Sequence, residues 1–241
     1  MSDFEAAWLR DYATRQQDRP EPPTPAEVSQ RAAVYDHYLH GWLPDDVTTP
    51  ILEVGCGSGW LLSALEQRGY PNVTGIDKSP SQVALARQLG HEVHEIGAVE
   101  FLADRAGEFG LIVVLDVFEH LTRQQAWELL ERSHRALRPG GRIVIQTPNG
   151  DSPWVGSVFF GDPTHLHCYA PLLLEKLMAA AGFEQIASRP CGPVPTTFIR
   201  RLRCWAWGLV AATLRLVNRL EGAVTSGIQT RNFLCSGVRG D

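Results

Sequence analysis

From Thr49 onward the chain alternates short apolar runs with stretches in which apolar residues recur every three or four positions. The runs Ile51–Val54, Val73–Ile76, His91–Ile96, Leu111–Leu115 and Arg142–Thr147 predict strands. Helical spacing falls between them, at Gly59–Gln67, Pro80–Leu89, Val99–Ala103 and Arg123–Leu137. The Pro-Gly-Gly of Leu137–Gly141 supplies the stop signal for the last of these helices. Beyond Thr147 the pattern loosens into a loop through Asp162. A helix at Pro171–Ala181, a strand at Phe183–Ser188, an apolar helix at Thr197–Glu221 and a final strand at Ile228–Val238 follow. The strand runs are too apolar to leave one face in water, so helices must cover both faces of a largely parallel sheet.

Residues 1–48 read differently. An amphipathic helix over 1–19 carries Phe4, Trp8 and Tyr12, the proline-rich stretch Pro20–Pro25 interrupts it, and a second helix spans Ala26–His40. The expected organisation is an N-terminal helical extension or lid over 1–48. An α/β domain over 49–241 follows, with 197–221 as an apolar, basic helical insertion.

Composition narrows the partners. At 241 residues there is room for one large α/β domain, and a net charge of −5 argues against nucleic-acid binding. Five scattered cysteines without paired spacing form neither a zinc site nor a disulfide framework, which suits a reducing cytoplasm.

The densest chemistry lies in Ile51-Leu-Glu-Val-Gly-Cys-Gly-Ser-Gly-Trp-Leu-Leu62, a strand running through a glycine loop into a helix. A dinucleotide fingerprint would place its third glycine at position 60, which is Trp60. Glu53, two residues before the first glycine, would repel a pyrophosphate but suits a ligand bearing an amino group. The pattern resembles the first motif of class I S-adenosylmethionine-dependent methyltransferases. Gly75–Ser79, Phe109–Leu121 and Leu137–Ile145 resemble that family's later segments, in order.

The resemblance implies a Rossmann-like, seven-stranded, mostly parallel sheet with helices on both faces and an antiparallel last strand. It implies S-adenosylmethionine as cofactor, held by Glu53, Gly55, Cys56, Gly57, Gly59, Asp77, Lys78, Val99, Glu100, Asp116 and Val117. Asp77 would accept from both ribose hydroxyls. The adenine contact departs from the family pattern, because Ala98 stands where relatives often carry an aspartate.

For chemistry, Asp116, Glu119 and His120 belong at the carboxyl end of the fourth strand, beside the sulfonium. The run Gly161-Asp-Pro-Thr-His-Leu-His-Cys-Tyr169 adds Asp162, His165 and His167. It is similar to methyltransferases of polysaccharide and O-antigen clusters, whereas the Glu-His pair at 119–120 is similar to ubiquinone-biosynthesis O-methyltransferases. His120, His165, Asp162 and His167 are the candidates for acid–base work on an acceptor hydroxyl. Asp162, His165 and His167 could together ligate a metal, but no further ligand is evident and no metal is expected. Tyr35, His37 and Tyr38 could touch the acceptor, although packing is the favoured role for Tyr35. The expected reaction is O-methylation of a sugar, glycan or other small molecule. The alternatives are a non-catalytic cofactor-binding assembly subunit and a nicotinamide-dependent oxidoreductase.

Residues 198–220 carry five arginines around an apolar stretch, with Trp205 and Trp207 near one end. That composition leaves two expectations open: packing on the domain or in a homodimer, and attachment to the inner face of a membrane.

Overall fold

The computed structural model describes residues 3–15 and 21–240, so Met1, Ser2 and residues 16–20 of the expected N-terminal helix and its break lie outside the described residues, as does Asp241. Seven strands form one sheet: β1 (Ile51–Val54), β2 (Val73–Asp77), β3 (Glu92–Glu95), β4 (Phe109–Leu115), β5 (Leu137–Pro148), β6 (Phe183–Pro190) and β7 (Asn232–Arg239). Their order is β3-β2-β1-β4-β5-β7-β6, and only β7 runs against its neighbours. This is the Rossmann-like sheet with a reversed last strand that the motifs imply.

Side-chain alternation along the central strands divides the core in two. Leu52, Val54, Ile112, Val114, Ile143 and Ile145 face one side. Ile51, Leu111, Val113 and Val144 face the other. Both sets are buried because helices cover both faces. The first layer uses Leu129 and Leu130 of α7 and Leu174 and Met178 of α9, where α7 is Arg123–Ala136 and α9 is Pro171–Ala180. The second uses Leu61, Leu62 and Leu65 of α4 (Trp60–Glu66) and Val83 and Ala86 of α5 (Pro80–Gln88).

Local signals set the helix starts. Thr24 opens α3 (Pro25–Leu39) and Thr122 opens α7, each with a reciprocal capping box, to Glu27 and Gln125 respectively. Two short N-terminal helices, α1 (Asp3–Arg10) and α2 (Tyr12–Arg15), pack on α5. Ser79 donates to the Leu9 carbonyl at 2.7 Å and anchors them.

Three boundaries differ from the sequence pattern. Strand β5 begins at Leu137 because that residue pairs with Phe109 before a register shift brings Arg142 opposite Leu111. The Pro-Gly-Gly run therefore lies inside the strand's irregular start. The loop after β5 contains a one-turn helix, α8 (Gly156–Phe159), and α6 shortens to Ala98–Phe101. Residues 228–231 stay outside β7 because buried side chains capture their carbonyls. Asn149 Nδ2 donates to Ile228 at 2.9 Å and Thr230 at 2.8 Å, and Ser152 donates to Gln229.

Asn149 is fully buried, so truncating it strands two carbonyls without donors. Asn149→Ala is expected to cost about 2–3 kcal/mol. Thermal melts should show a drop of roughly 4–12 °C. An unchanged melting temperature would mean that water replaces the amide at no cost.

Candidate functional site

The carboxyl ends of β1, β2, β4 and β5 open into one cavity of about 600 Å³, covered by α1–α3 on one side and the loop around α8 on the other. Beyond the parallel strands' ends, chain reversals leave polar side chains and backbone free to face a ligand.

The glycine loop forms the floor. Gly55 has φ of 72°, and a Cβ placed there would sit 2.1 Å from Val117 Cγ2. Gly55 therefore lets the β4 exit pass directly under the loop. Gly59, at φ 85°, caps α4 and makes room for His91, whose ring a Cβ would approach to 2.7 Å. Gly59 is thus a packing glycine, away from the cavity wall that Gly55, Cys56 and Gly57 form.

Two carboxylates set the floor's chemistry. Glu53 is 4% exposed, and its Oε2 has no hydrogen-bond partner. Burial, reinforced by Asp77 nearby, pushes its pKa well above the usual range. An ammonium group within reach of Oε2 would relieve both the desolvation and the unmet acceptor. Asp77 Oδ1 accepts from the Ser79 amide at 2.7 Å and Oδ2 from the Gly57 amide at 2.9 Å. Each oxygen keeps a lone pair for a further donor, as a vicinal diol requires. Ser58 Oγ, both Gln82 amide atoms and Asn232 Oδ1 are also buried and unpartnered on this wall. The floor thus fits a ligand that carries an amino group and hydroxyls.

Beyond β4 the backbone turns sharply. Asp116 adopts φ of 54°, a conformation rare outside glycine but tolerated by aspartate. Gln146 Nε2 donates to both of its carboxylate oxygens at 2.9 Å, and Asn232 Nδ2 to one at 3.1 Å. The carboxylate is exposed to the cavity, and the surrounding protein raises its pKa.

A polar cluster faces it from the β5–α9 loop. Asp162 Oδ1 accepts from the Thr164 hydroxyl at 2.5 Å, and Tyr12 donates to Oδ2 at 2.6 Å. Burial alone would raise the Asp162 pKa, but these hydrogen bonds outweigh it and hold the group below its usual value. Because the Thr164 proton goes to Asp162, Thr164 Oγ1 receives the Nδ1 proton of His120, 2.9 Å away. That tautomer leaves His120 Nε2 without a proton. Burial, with His165 beside it, lowers the His120 pKa from 6.5 to about 4. His165 donates Nδ1–H to the Phe159 carbonyl at 2.8 Å, and its Nε2 lies 3.8 Å from Glu119 Oε1. Glu119 is buried and accepts from Thr147 at 3.0 Å. Burial and Asp116 push its pKa well up. Glu119, His120 and His165 each place a donor atom within 4.8 Å of the others.

Several expected residues stand elsewhere. His167 stays out of the cavity, its ring against Tyr169, so the metal grouping of Asp162, His165 and His167 does not assemble. Val99 turns its carbonyl to Arg132 at 2.8 Å and Glu100 is exposed. Ala98 and Ile96 line that end of the cavity instead. Lys78, Asp116 and Val117 do line it, as do Tyr35 and Tyr38, whereas His37 is exposed. Sequence reasoning missed Arg31, Gln82, Gln146 and Asn232 as lining residues, and Thr164 as the link between Asp162 and His120. Arg31 lies on α3 with its guanidinium 4.9 Å from the Trp60 ring. A cationic residue on α3's helical period was the available signal for it.

The methyltransferase domain family matches residues 28–188, more than half of the chain. The chain belongs to this family. It is a class I S-adenosylmethionine-dependent methyltransferase domain. It is similar to the ubiquinone biosynthesis O-methyltransferase of Idiomarina loihiensis, 30% identical over 154 residues covering 57% of this chain and 62% of that one. The enzyme of the same name from Pseudomonas aeruginosa is 34% identical over 105 residues, 41% of this chain and 44% of that one. The chain thus spans about half the length of the curated relatives it matches. A SAM-dependent methyltransferase from Archaeoglobus fulgidus shares the fold at 17% identity, with a TM-score of 0.66 over 94% of this chain and 97% of that one. Phosphoethanolamine N-methyltransferase 2 of Haemonchus contortus, in complex with S-adenosyl-L-methionine, does so at 16% identity and a TM-score of 0.64, over 97% of this chain and 60% of that one.

The depressed His120 pKa makes a signed prediction. Between pH 6.5 and about 4 the unfolded chain binds a proton at His120 that the folded methyltransferase domain refuses, so stability falls as pH drops through that window. The contribution is at most about 3 kcal/mol. His120→Asn removes it. The wild-type advantage over the variant should therefore shrink between pH 8 and pH 4 in denaturant titrations, and a constant difference would refute the linkage.

Proposed function

We propose that this domain methylates an oxygen of a small-molecule or glycan hydroxyl acceptor, with His120 as the general base. The observation that carries the reading is the Asp162–Thr164–His120 relay on the cavity wall, which fixes the ring and leaves Nε2 without a proton. Glu53, Gly55, Cys56, Gly57, Asp77, Lys78, Asp116 and Val117 would hold S-adenosylmethionine. The orphaned Glu53 Oε2 would accept from the amino group, and Asp77 from the ribose diol. When bound, S-adenosylmethionine supplies an electrophilic methyl on a sulfonium, whose C–S electrons return to sulfur as the C–O bond forms.

The chain's own residues do the rest. Asp162 orients Thr164, which fixes the His120 tautomer; both are positioning residues. His120 takes the acceptor's hydroxyl proton at Nε2, and its low pKa keeps it unprotonated across the neutral range. Asp162 then stabilises the imidazolium through Thr164. Glu119 and His165 are close enough to hold the acceptor oxygen, and Tyr35 and Tyr38 wall the space across from them. The relatives named as O-methyltransferases support an oxygen acceptor.

A second reading rests on the convergence of Glu119, His120 and His165. A divalent cation held there would bind the acceptor oxygen directly and lower its pKa, so that no protein base is needed.

Both readings meet the same tests. His120→Ala should reduce turnover on the order of 10²–10⁴-fold, with S-adenosylhomocysteine affinity nearly unchanged. Thr164→Val should cost less and shift the acid limb of the pH–rate profile. Loss of turnover on chelation, restored by a divalent ion, would favour the metal reading. Full activity in His120→Ala would sink the base assignment. A cofactor-binding subunit without turnover would bind S-adenosylhomocysteine yet methylate none of the acceptors offered.

A further inference from the structure

The helix α10 (Phe198–Glu221), between β6 and β7, is built inside out. It opens with Thr197 accepting from the Arg200 amide and closes at the left-handed Gly222. Cys204, Trp207, Ala211, Leu214 and Asn218 recur at spacings of three and four and are its more sheltered positions. Cys204 Sγ donates to the Pro193 carbonyl, Trp207 packs on Trp154 with ring centroids 5.4 Å apart, and Ala211 is buried. The same period puts Phe198, Leu202, Trp205, Leu209, Leu216 and Leu220 on the opposite side. All six are exposed, from 54% at Leu209 to 83% at Phe198. A helix of this length runs about 36 Å, so the outer stripe is long and continuous.

Arginine borders that stripe. On the helical period Arg201, Arg215 and Arg219 follow one edge and Arg203 the other, and Arg200 sits nearer the packed side; all five are exposed. The helix carries one acid, Glu221, although the whole chain has a net charge of −5. The charge is therefore segregated: a cationic, apolar helix on an acidic body. Among the described residues no helix is long and apolar enough to cross a membrane.

We propose that α10 lies in the plane of an anionic lipid surface, its leucines among the acyl chains and its arginines at the phosphates. An apolar face flanked by arginine, with tryptophan at one end, has the composition of an interfacial helix. A second copy docked through the same face would bring arginine edges against each other, with a single glutamate per helix to offset them. Lipid phosphates supply the opposite charge along both edges. The surface adjoins the cavity, because Trp154 begins the loop whose Ser157, Val158, Gly161 and Asp162 line it. Phe160 of that loop is also 84% exposed.

Flotation tests the assignment, using vesicles of phosphatidylcholine alone or mixed with phosphatidylglycerol. The full chain should float with the mixed vesicles and not with phosphatidylcholine alone, and high salt should release it. A triple variant, Leu202→Glu, Leu209→Glu and Leu216→Glu, should lose binding by tenfold or more. A charge variant, Arg201→Gln, Arg215→Gln and Arg219→Gln, should weaken it on the order of tenfold or more. None of the six side chains lines the cavity, so S-adenosylhomocysteine should still stabilise both variants against heat. If the leucine variant fails that control, the arginine variant decides. No flotation of the wild type, equal binding to neutral vesicles, or flotation of the folded variants at wild-type levels would overturn the proposal. A dimer in sedimentation velocity that the leucine variant abolishes, without vesicle binding, would assign the face to a second copy.

Discussion

Burial of β1 and β4 on both faces is the constraint on which the rest of the structure depends. A strand covered on two sides cannot carry polar groups along its length without partners, so the polar side chains collect where the strands end. Glu53 is the exception inside β1, and its cost locates the ligand. A carboxylate with one unpartnered oxygen is relieved there either by a proton, as its raised pKa indicates, or by a cationic group that completes it. Asp116 and Glu119, just beyond β4, also have raised pKa values, although Gln146, Asn232 and Thr147 supply them with donors. Four acids with raised pKa values, Glu53, Asp77, Asp116 and Glu119, around one cavity make a region that favours a cation, and a sulfonium ligand is one.

The facing cluster has the opposite character. Asp162 is kept ionised by Thr164 and Tyr12, while His120 is kept neutral by burial. One carboxylate below its ordinary range and one imidazole below its own form a pair that stays apart in charge at neutral pH. A proton arriving on His120 then moves the pair toward a compensated state, which a lone buried histidine could not reach. Tyr12 ties this pair to the N-terminal helices through one hydrogen bond to Asp162. Geometry alone would describe the two histidines as equivalent; the relay behind His120 distinguishes them.

Much of this was legible before the structure. The strand pattern works because both-face burial leaves nearly unbroken apolar runs, and six parallel strands with a reversed seventh follow from the motif order. Asp77 is readable because it answers a local demand of the loop, accepting from the Gly57 and Ser79 amides, whereas Gly55 also answers Val117, far along the chain. Gly59 was read as a ligand glycine, yet its reason is His91, thirty-odd residues away and invisible to spacing. Asn149, His120 and Thr164 show the same limit. Their partners come from separate segments brought together by crossover connections, and residue type alone cannot say which hydroxyl receives which imidazole proton. The start of β7 moved for a related reason: Ile228 and its neighbours have strand-like side chains, but Asn149 and Ser152 take their carbonyls out of the ladder.

Helix α10 carries the argument furthest from the catalytic site and back to it. An amphipathic helix normally turns its apolar face inward because the core is the nearest place to hide it. Here the core is already closed by α4, α5, α7 and α9, and the helix contributes only Ala211 and a few sheltered neighbours to the protein. Its apolar stripe must therefore be satisfied by something external. The Trp154–Trp207 contact links that external surface to the loop holding Asp162 and Thr164, the two groups that set the His120 tautomer. Whatever occupies the outer face of α10 thus bears, through one aromatic contact, on the same short loop that orients His120.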